Sequence, residues 1–437
     1  MIVIERERAG FSVRHNGVIV LRHSEDRPCA FIGRGNERVS MYRGNFDIED
    51  RLDERVALDR FSLETLECEP SGERLRITVW SDGGPSMTLD VCEEGDRMVM
   101  KPSVVTPVVM AGVAHAAGAN ATGNSAAGKA AHGALPVPNR FWFRLPADPD
   151  ESVFGCGEQF SHFNLRGRRF PLWTSEQGVG RNKKTRVTWE ADVADKAGGD
   201  YWWTFFPQPS YVSSRKYWLF AQCPAWAAFD FSDADYHELE FWALPERLTF
   251  GSGTKMLDLA RGMTDFLGHQ PEPPDWTHDG VILGVQGGTD VCQARLDQAR
   301  ARGVPVSGLW AQDWEGINMT SFGQRLRWNW QWHRERYPQL PEAIARWKKD
   351  GIRFLGYANP YVGAGWPLFE EAKAQDFLAR NSKGDVYLVD FGEFDAGIVD
   401  FTNPAAFEWY KHVMRRELLD LDLGGWMADF GEYLPTD

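Results

Sequence analysis

Gly425-Trp426-Met427-Ala428 is a short apolar run that delivers a carboxylate, Asp429, where a strand would stop and a loop begin. A second acid, Glu432, follows three residues on. Carboxylates delivered this way at the mouth of a parallel β/α barrel stand where such enzymes keep catalytic groups. Three earlier apolar runs end in the same manner. Val281–Val285 is followed by Gln286, Val306–Trp310 by Gln312-Asp313-Trp314, and Ile352–Tyr357 by Asn359-Pro360-Tyr361. Polar groups at the carboxyl ends of successive parallel strands converge on one opening. Any single one reads best as a satisfied loop-start residue; four in succession favour a site. Between the second and third runs lie Arg325 and Trp328, three apart, so a helical turn would set guanidinium and indole on one face. A fork of N–H donors beside an indole N–H suits an oxyanion such as sulfonate or phosphate. A cation–π pair packing a loop explains the same spacing equally well.

These residues need a scaffold, and the chain has two rhythms. Up to about residue 268, period-two segments recur between turn signals. Phe11 to Val20 reads as a hairpin around Asn16-Gly17. Leu75, Ile77 and Val79 alternate with polar neighbours, and so do Met87, Leu89 and Val91, and Phe141, Phe143 and Leu145. With no long amphipathic helix expected among them, residues 1–268 are predicted to form an N-terminal β-sandwich. The stretch 111–134 is dominated by Ala, Gly, Asn and Ser and reads as a flexible surface loop. Pro271, Pro273 and Pro274 mark a linker over 269–280.

Beyond the linker the pattern becomes strand, helix, strand. A helix is predicted over 340–350, with Pro341 near its start and Gly351 past its end. Another opens at Asn403-Pro404, with Phe407, Tyr410, Met414, Leu418 and Leu421 on one face. That alternation implies a parallel sheet. A closed (β/α)₈ TIM barrel ordinarily takes ~250 residues. Residues 281–437 therefore read as the N-terminal half of such a barrel, truncated, or as a smaller open sheet.

Composition narrows the partners. Hydrophobic residues at 43% and charged residues at 25% are ordinary for a globular protein. A net charge of −14 argues against nucleic acid or an anionic membrane as partner, though a pocket can be locally basic. No apolar run reaches membrane-spanning length, and the start, Met1 to Arg8, lacks a secretory pattern. Cys29, Cys68, Cys92, Cys156, Cys223 and Cys292 are scattered without a CxxC pair, which fits reduced core residues in a cytoplasmic protein and speaks against a metal site.

At this point the chain resembles glycoside hydrolase family 31, the retaining α-glucosidase and α-xylosidase family, and more narrowly its sulfoquinovosidase subgroup. The family marks are Asp400-Phe-Thr-Asn-Pro404 and Trp426-Met-Ala-Asp429-Phe-Gly-Glu432. Gln286, Gln312, Arg325 and Trp328 match four of the five residues by which the subgroup grips a sulfonate; Phe154 to Phe160 and Pro171 to Gly180 resemble its sandwich-domain loops. The 19 tryptophans fit as well, since sugar-processing enzymes use flat aromatic faces beside their ligands.

The resemblance implies the following roles. Asp429 is the nucleophile, because an oxocarbenium-like transition state needs an anion that then bonds to the anomeric carbon. The general acid/base and the fifth sulfonate residue, a tyrosine, are expected beyond Asp437. Arg325 makes the charged contact to the sulfonate and Trp328 donates its N–H, with Gln286 and Gln312 shaping the pocket. Asp313, and Glu158 from the sandwich, could each take a sugar hydroxyl or serve only as structural hydrogen-bond partners. Glu432 is expected to orient its loop. No metal or organic cofactor is implied, and a homo-oligomer is possible. Two rivals stay open: a family 31 enzyme for neutral sugars, and a non-catalytic carbohydrate-binding or inert fragment.

Overall fold

The computed structural model describes residues 1–42, 44–68, 72–105, 137–321 and 323–433. The expected surface loop at 111–134 lies outside them. The chain divides into two compact units, 1–39 with 47–269, and 40–46 with 270–437.

In the first unit, Asn16 (φ 48°) and Gly17 (φ 85°) both take the left-handed conformation of a type I′ turn. That turn matches the twist of the strands it joins, Gly10–His15 and Val18–Ser24. A six-stranded sheet runs in the order Arg169–Leu172, Ala227–Asp230, Tyr236–Phe241, Arg140–Pro146, Ala30–Tyr42, Asn45–Ala57. An eight-stranded sheet begins with Val153–Gly157, Pro207–Ser213 and Tyr217–Gln222, and ends at Gly72–Trp80 and Arg60–Cys68. One core draws Ile32, Phe141, Phe143 and Leu239 from the first sheet and Ile77, Leu89, Met98 and Leu219 from the second. This is sandwich packing, with each strand's alternate residues turned inward.

Two helices depart from the all-β expectation, Arg186–Asp195 and Met256–Leu267. In the second, Met256, Leu259, Met263 and Phe266 recur at helical spacing, a 12-residue pattern obscured by the strands around it. Phe266 packs its ring against Trp218 and Phe220 of the strand Tyr217–Gln222.

The second unit is built on four parallel strands, Val281–Gly284, Val306–Trp310, Arg353–Ala358 and Gly425–Ala428, side by side in chain order. A sheet whose order follows the chain is a barrel wall; a doubly wound sheet reverses its order partway. The helix Thr289–Ala301 between the first two strands carries little periodic signal, since only Thr289, Cys292 and Leu296 are buried on a mostly polar surface. The helix Leu340–Lys349 buries Leu340, Ala343, Ile344 and Trp347 against the sheet.

The helix Pro404–Met414 forms, capped by Asn403, whose side chain accepts from the Ala405 N–H, but its buried face differs from the expected one. Ala406 and Val413 face inward and Phe407 stays 48% exposed. Small Ala406 permits close approach to the sheet, and a π-helical turn, Arg415–Leu419, rotates the residues that follow so that Leu418 is buried.

Several tryptophans in this unit act as anchors as well as filler. The indole N–H groups of Trp310, Trp314 and Trp330 donate to the carbonyls of Gly356, Tyr357 and Tyr361, each at 2.9 Å. Replacing Trp314, which is fully buried, by Phe strands the Tyr357 carbonyl and leaves a void. The Trp314→Phe variant is expected to lose about 1–3 kcal/mol of unfolding free energy, read from denaturant titration. A loss within error would show that the indole bond contributes nothing net.

Candidate active site

The strand register decides which side chains meet. Gly284 stands opposite Trp310, Trp310 opposite Leu355, and Leu355 opposite Gly425. Two residues further along each chain come Gln286, Gln312 and Tyr357, and because strand side chains alternate with period two these three share one face of the wall. Gln286 Nε2 donates to Gln312 Oε1 at 2.9 Å. All three line a cavity of about 340 Å³ together with Arg325, Trp328, Gln324, Phe391 and Phe394. Four of the sequence-derived residues are thus brought to one cavity.

Arg325 and Trp328 reach it by a route other than the expected helical turn. Arg325 lies in the strand Gly323–Leu326, paired antiparallel with Ile317–Thr320, and Trp328 follows with φ 54°. A tryptophan held left-handed costs about 1–3 kcal/mol, so the surroundings must hold it there. Its ring stacks on Tyr361 at 5.6 Å and meets the Phe391 edge at 4.4 Å. Beneath the turn sits Glu315, 1% exposed, whose carboxylate accepts from the Arg327 N–H at 3.1 Å and the Asn329 N–H at 3.2 Å. Arg325 itself has neither a hydrogen-bond nor an ion-pair partner for its guanidinium among the described residues. No cation–π contact of Arg325 with Trp328 occurs among them either, which removes the packing-pair explanation.

Asp429 lies two positions beyond that level, opposite Asn359, and its N–H donates to the Ala358 carbonyl at 2.9 Å. The Tyr357 hydroxyl donates to Asp429 Oδ2 at 2.7 Å and receives the Asn359 side-chain N–H at 3.3 Å. Burial first, and then the bond to Asp429, push the Tyr357 hydroxyl far above its ordinary range, so it stays protonated as a donor. Asp429 lines a second cavity of about 340 Å³ with Asn359, Phe401, Tyr410, Trp426 and Phe430. Tyr357 therefore belongs to one cavity and bonds the acid of the next.

The remaining candidates are placed differently. Asp313 is fully buried; its carboxylate accepts from the Gly287 N–H at 2.9 Å, from Arg336 Nε and from the Tyr337 hydroxyl. Those bonds tie the first strand's loop to the second, and Asp313 lines neither cavity. Glu158 belongs to the first unit, exposed at the end of Val153–Gly157, with its N–H donating to the Phe206 carbonyl. Glu432 Oε2 accepts the Gly431 N–H at 2.8 Å, a contact within its own loop. Asp400 likewise serves its turn, accepting from Thr402. No three His, Cys, Asp or Glu side chains are grouped to hold a metal among the described residues.

Tyr357, Gln324, Phe391, Phe394 and Glu315 were not picked out from sequence. Tyr357 was readable, being two positions past the strand level that also yields Gln286 and Gln312. Phe391 and Phe394 carry no such signal; they flank a hairpin tip whose Glu393 accepts from the Ser321 backbone N–H at 2.6 Å and from its hydroxyl.

A barrel wall with polar groups at its strand ends, preceded by an antiparallel sandwich, is a multidomain β plus α/β protein, and the mouth of such a wall is where a site is sought. The family follows from comparison. The model for the Glycosyl hydrolases family 31 TIM-barrel domain matches residues 270–436, and that for the Glycosyl hydrolase 31 N-terminal galactose mutarotase-like domain matches 2–186. The chain belongs to glycoside hydrolase family 31. It is 45% identical over 98% of its length to a sulfoquinovosidase of Escherichia coli and 43% identical over 99% to one of Agrobacterium fabrum. It covers 58% and 59% of those proteins. It also superposes, with a TM-score of 0.86 and 40% identity, on a family 31 sulfoquinovosidase from E. rectale in complex with the aza-sugar inhibitor IFGSQ, covering 100% of this chain and 60% of that one.

Burial pushes the Glu315 carboxyl up, against the opposing pull of three backbone N–H groups and Arg327, which favour the ionised form in which both oxygens accept.

Proposed function

We propose that this chain forms part of a retaining α-glycoside hydrolase that cleaves α-sulfoquinovosides, glycosides of 6-deoxy-6-sulfoglucose such as the glycerol glycoside, and releases sulfoquinovose. The observation that carries this reading is the unpaired Arg325 guanidinium in a cavity shared with Trp328, Gln286 and Gln312. A cation left without an anion at the lining of a cavity favours an anionic ligand, and a planar N–H fork suits the oxygens of a sulfonate. A neutral 6-hydroxyl would pair that fork poorly, at a cost of a few kcal/mol. The similarity to sulfoquinovosidases over nearly the whole chain supports the same substrate class.

In the proposed reaction Asp429 attacks the anomeric carbon as the bond to the leaving oxygen breaks, giving a glycosyl-aspartate that water then hydrolyses. The Tyr357 hydroxyl holds the attacking carboxylate in place. The acid that protonates the leaving oxygen, and later activates water, comes from sequence beyond Asp437, as does a fifth sulfonate contact. Residues 1–268 serve as the sandwich domain, 269–280 as the linker and 281–437 as the first half of the barrel; the chain-order strands and the greater length of the relatives support this. Glu158 and Asp313 are assigned supporting roles near the sugar, Asp313 through the loops it ties together. The enzyme works in the cytoplasm without metal or organic cofactor and needs no nucleic acid or membrane. No helix among the described residues is long and apolar enough to cross a membrane.

The test uses the natural gene product, with whatever follows Asp437, on nitrophenyl α-sulfoquinovoside beside the matching α-glucoside. Strong preference for the sulfonated substrate is expected; cleavage of the glucoside alone would remove the sulfonate assignment. Arg325→Ala should cost roughly a hundredfold more in kcat/KM on the sulfonated substrate than on the glucoside, and equal losses would contradict its role. Asp429→Asn should cut kcat by roughly four orders of magnitude with substrate binding near normal. Substantial residual turnover would place the nucleophile elsewhere.

A further inference from the structure

We infer that Glu315 is a positioning residue for this cavity: its buried carboxylate gathers the backbone N–H groups of the 327–329 turn and so holds Trp328 in the left-handed conformation that brings its indole beside Arg325. The inference rests on reading the cavity as the sulfonate site. Glu315 touches no ligand itself. Its effect passes through the backbone.

The geometry comes from both sides of the turn. Below it, Glu315 Oε1 takes the Arg327 N–H and Oε2 the Asn329 N–H, with the Trp328 N–H directed at the same group. A left-handed residue beside right-handed ones turns successive N–H groups toward one anion, the concave arrangement known as a nest. Here the anion in the nest is a side chain of the same chain. Above the turn, the Trp328 carbonyl accepts the Gly363 N–H at 2.9 Å, and a Cβ on Gly363 would stand 2.2 Å from the Arg327 carbonyl oxygen. The return path is equally tight: after Glu315 the chain turns at Gly316 (φ 105°), where a Cβ would come within 2.7 Å of His333 and 3.0 Å of Arg327.

A carboxylate is needed here because it offers two acceptors and no donor. Glutamine keeps the shape but turns one oxygen into an NH₂ group. Whichever way that amide lies, the NH₂ confronts either the Arg327 or the Asn329 N–H, donor against donor. The nest opens, and Trp328 loses its reason to stay left-handed.

The test is a double-mutant cycle on the natural gene product with nitrophenyl α-sulfoquinovoside, supplemented by amide hydrogen exchange over 325–331. Glu315→Gln should raise KM for the sulfonated substrate by roughly tenfold or more, with a smaller change in kcat and a smaller KM change on the matching glucoside. Glycine adopts φ near 54° without strain, so in a Trp328→Gly background the added Glu315→Gln change should move KM little. Equal KM effects in the two backgrounds, or none in either, would overturn the inference. Amide exchange needs no substrate. Faster exchange in that segment of Glu315→Gln supports the positioning role even in a protein without sulfonate preference, which would discard the substrate reading alone. Unaltered exchange in a folded variant overturns the positioning role even if the native enzyme strongly prefers the sulfonated glycoside.

Discussion

The register of the parallel ladder is the constraint on which the site depends. Once Gly284, Trp310, Leu355 and Gly425 are set level with one another, the positions of Gln286, Gln312, Tyr357 and Asp429 follow from the pleat alone. A slip of one residue in any pair would send that strand's polar end group to the helix-covered face, where it would meet apolar side chains such as Ile344 and Trp347. The hydrophobic pattern that buries the sheet therefore also aims the functional groups, and no separate device is needed to point the glutamines or the tyrosine.

Around that ladder the loops work as clamps. Asp313 is fully enclosed, and its bonds to Gly287, Arg336 and Tyr337 join the loops after the first two strands. Glu393 joins two hairpin tips through Ser321. In both cases a carboxylate is spent on geometry. The protein carries a net charge of −14, yet beside these acids the lining of the cavity retains an unpaired arginine. Local charge is set by which acids are already occupied, and the sum over the chain says little about it.

Legibility in the sequence followed the range of the interaction. Strand faces such as Leu75, Ile77 and Val79, the Asn16-Gly17 turn and the Asn403 cap are written in neighbouring residues, and each forms as read. Family motifs carried the gathering of Gln286, Gln312, Arg325 and Trp328, although the local geometry inferred for the last two, a helical turn, gave way to a strand and a left-handed residue. The helix Thr289–Ala301 hid because only a three-residue seam touches the sheet. Phe391 and Phe394 were invisible for a different reason: they reach the cavity from a hairpin about 65 residues beyond Arg325, and nothing local announces such a return. Glu315 looks in sequence like one more acid after a strand, and only the folded turn above it reveals its burial.

The indole anchors described for Trp310, Trp314 and Trp330 make the second unit an optical reporter of its own packing. Each ring is held by a bond to a carbonyl at or just past the third strand, in an asymmetric setting where Trp314 and Trp330 are fully buried and Trp310 half-buried. Such fixed chromophores give ellipticity in the near ultraviolet, a signal that vanishes when side-chain packing loosens while the backbone ladder persists. The strand ends that carry the chemistry are thus also where a spectrum would first register a loosened fold.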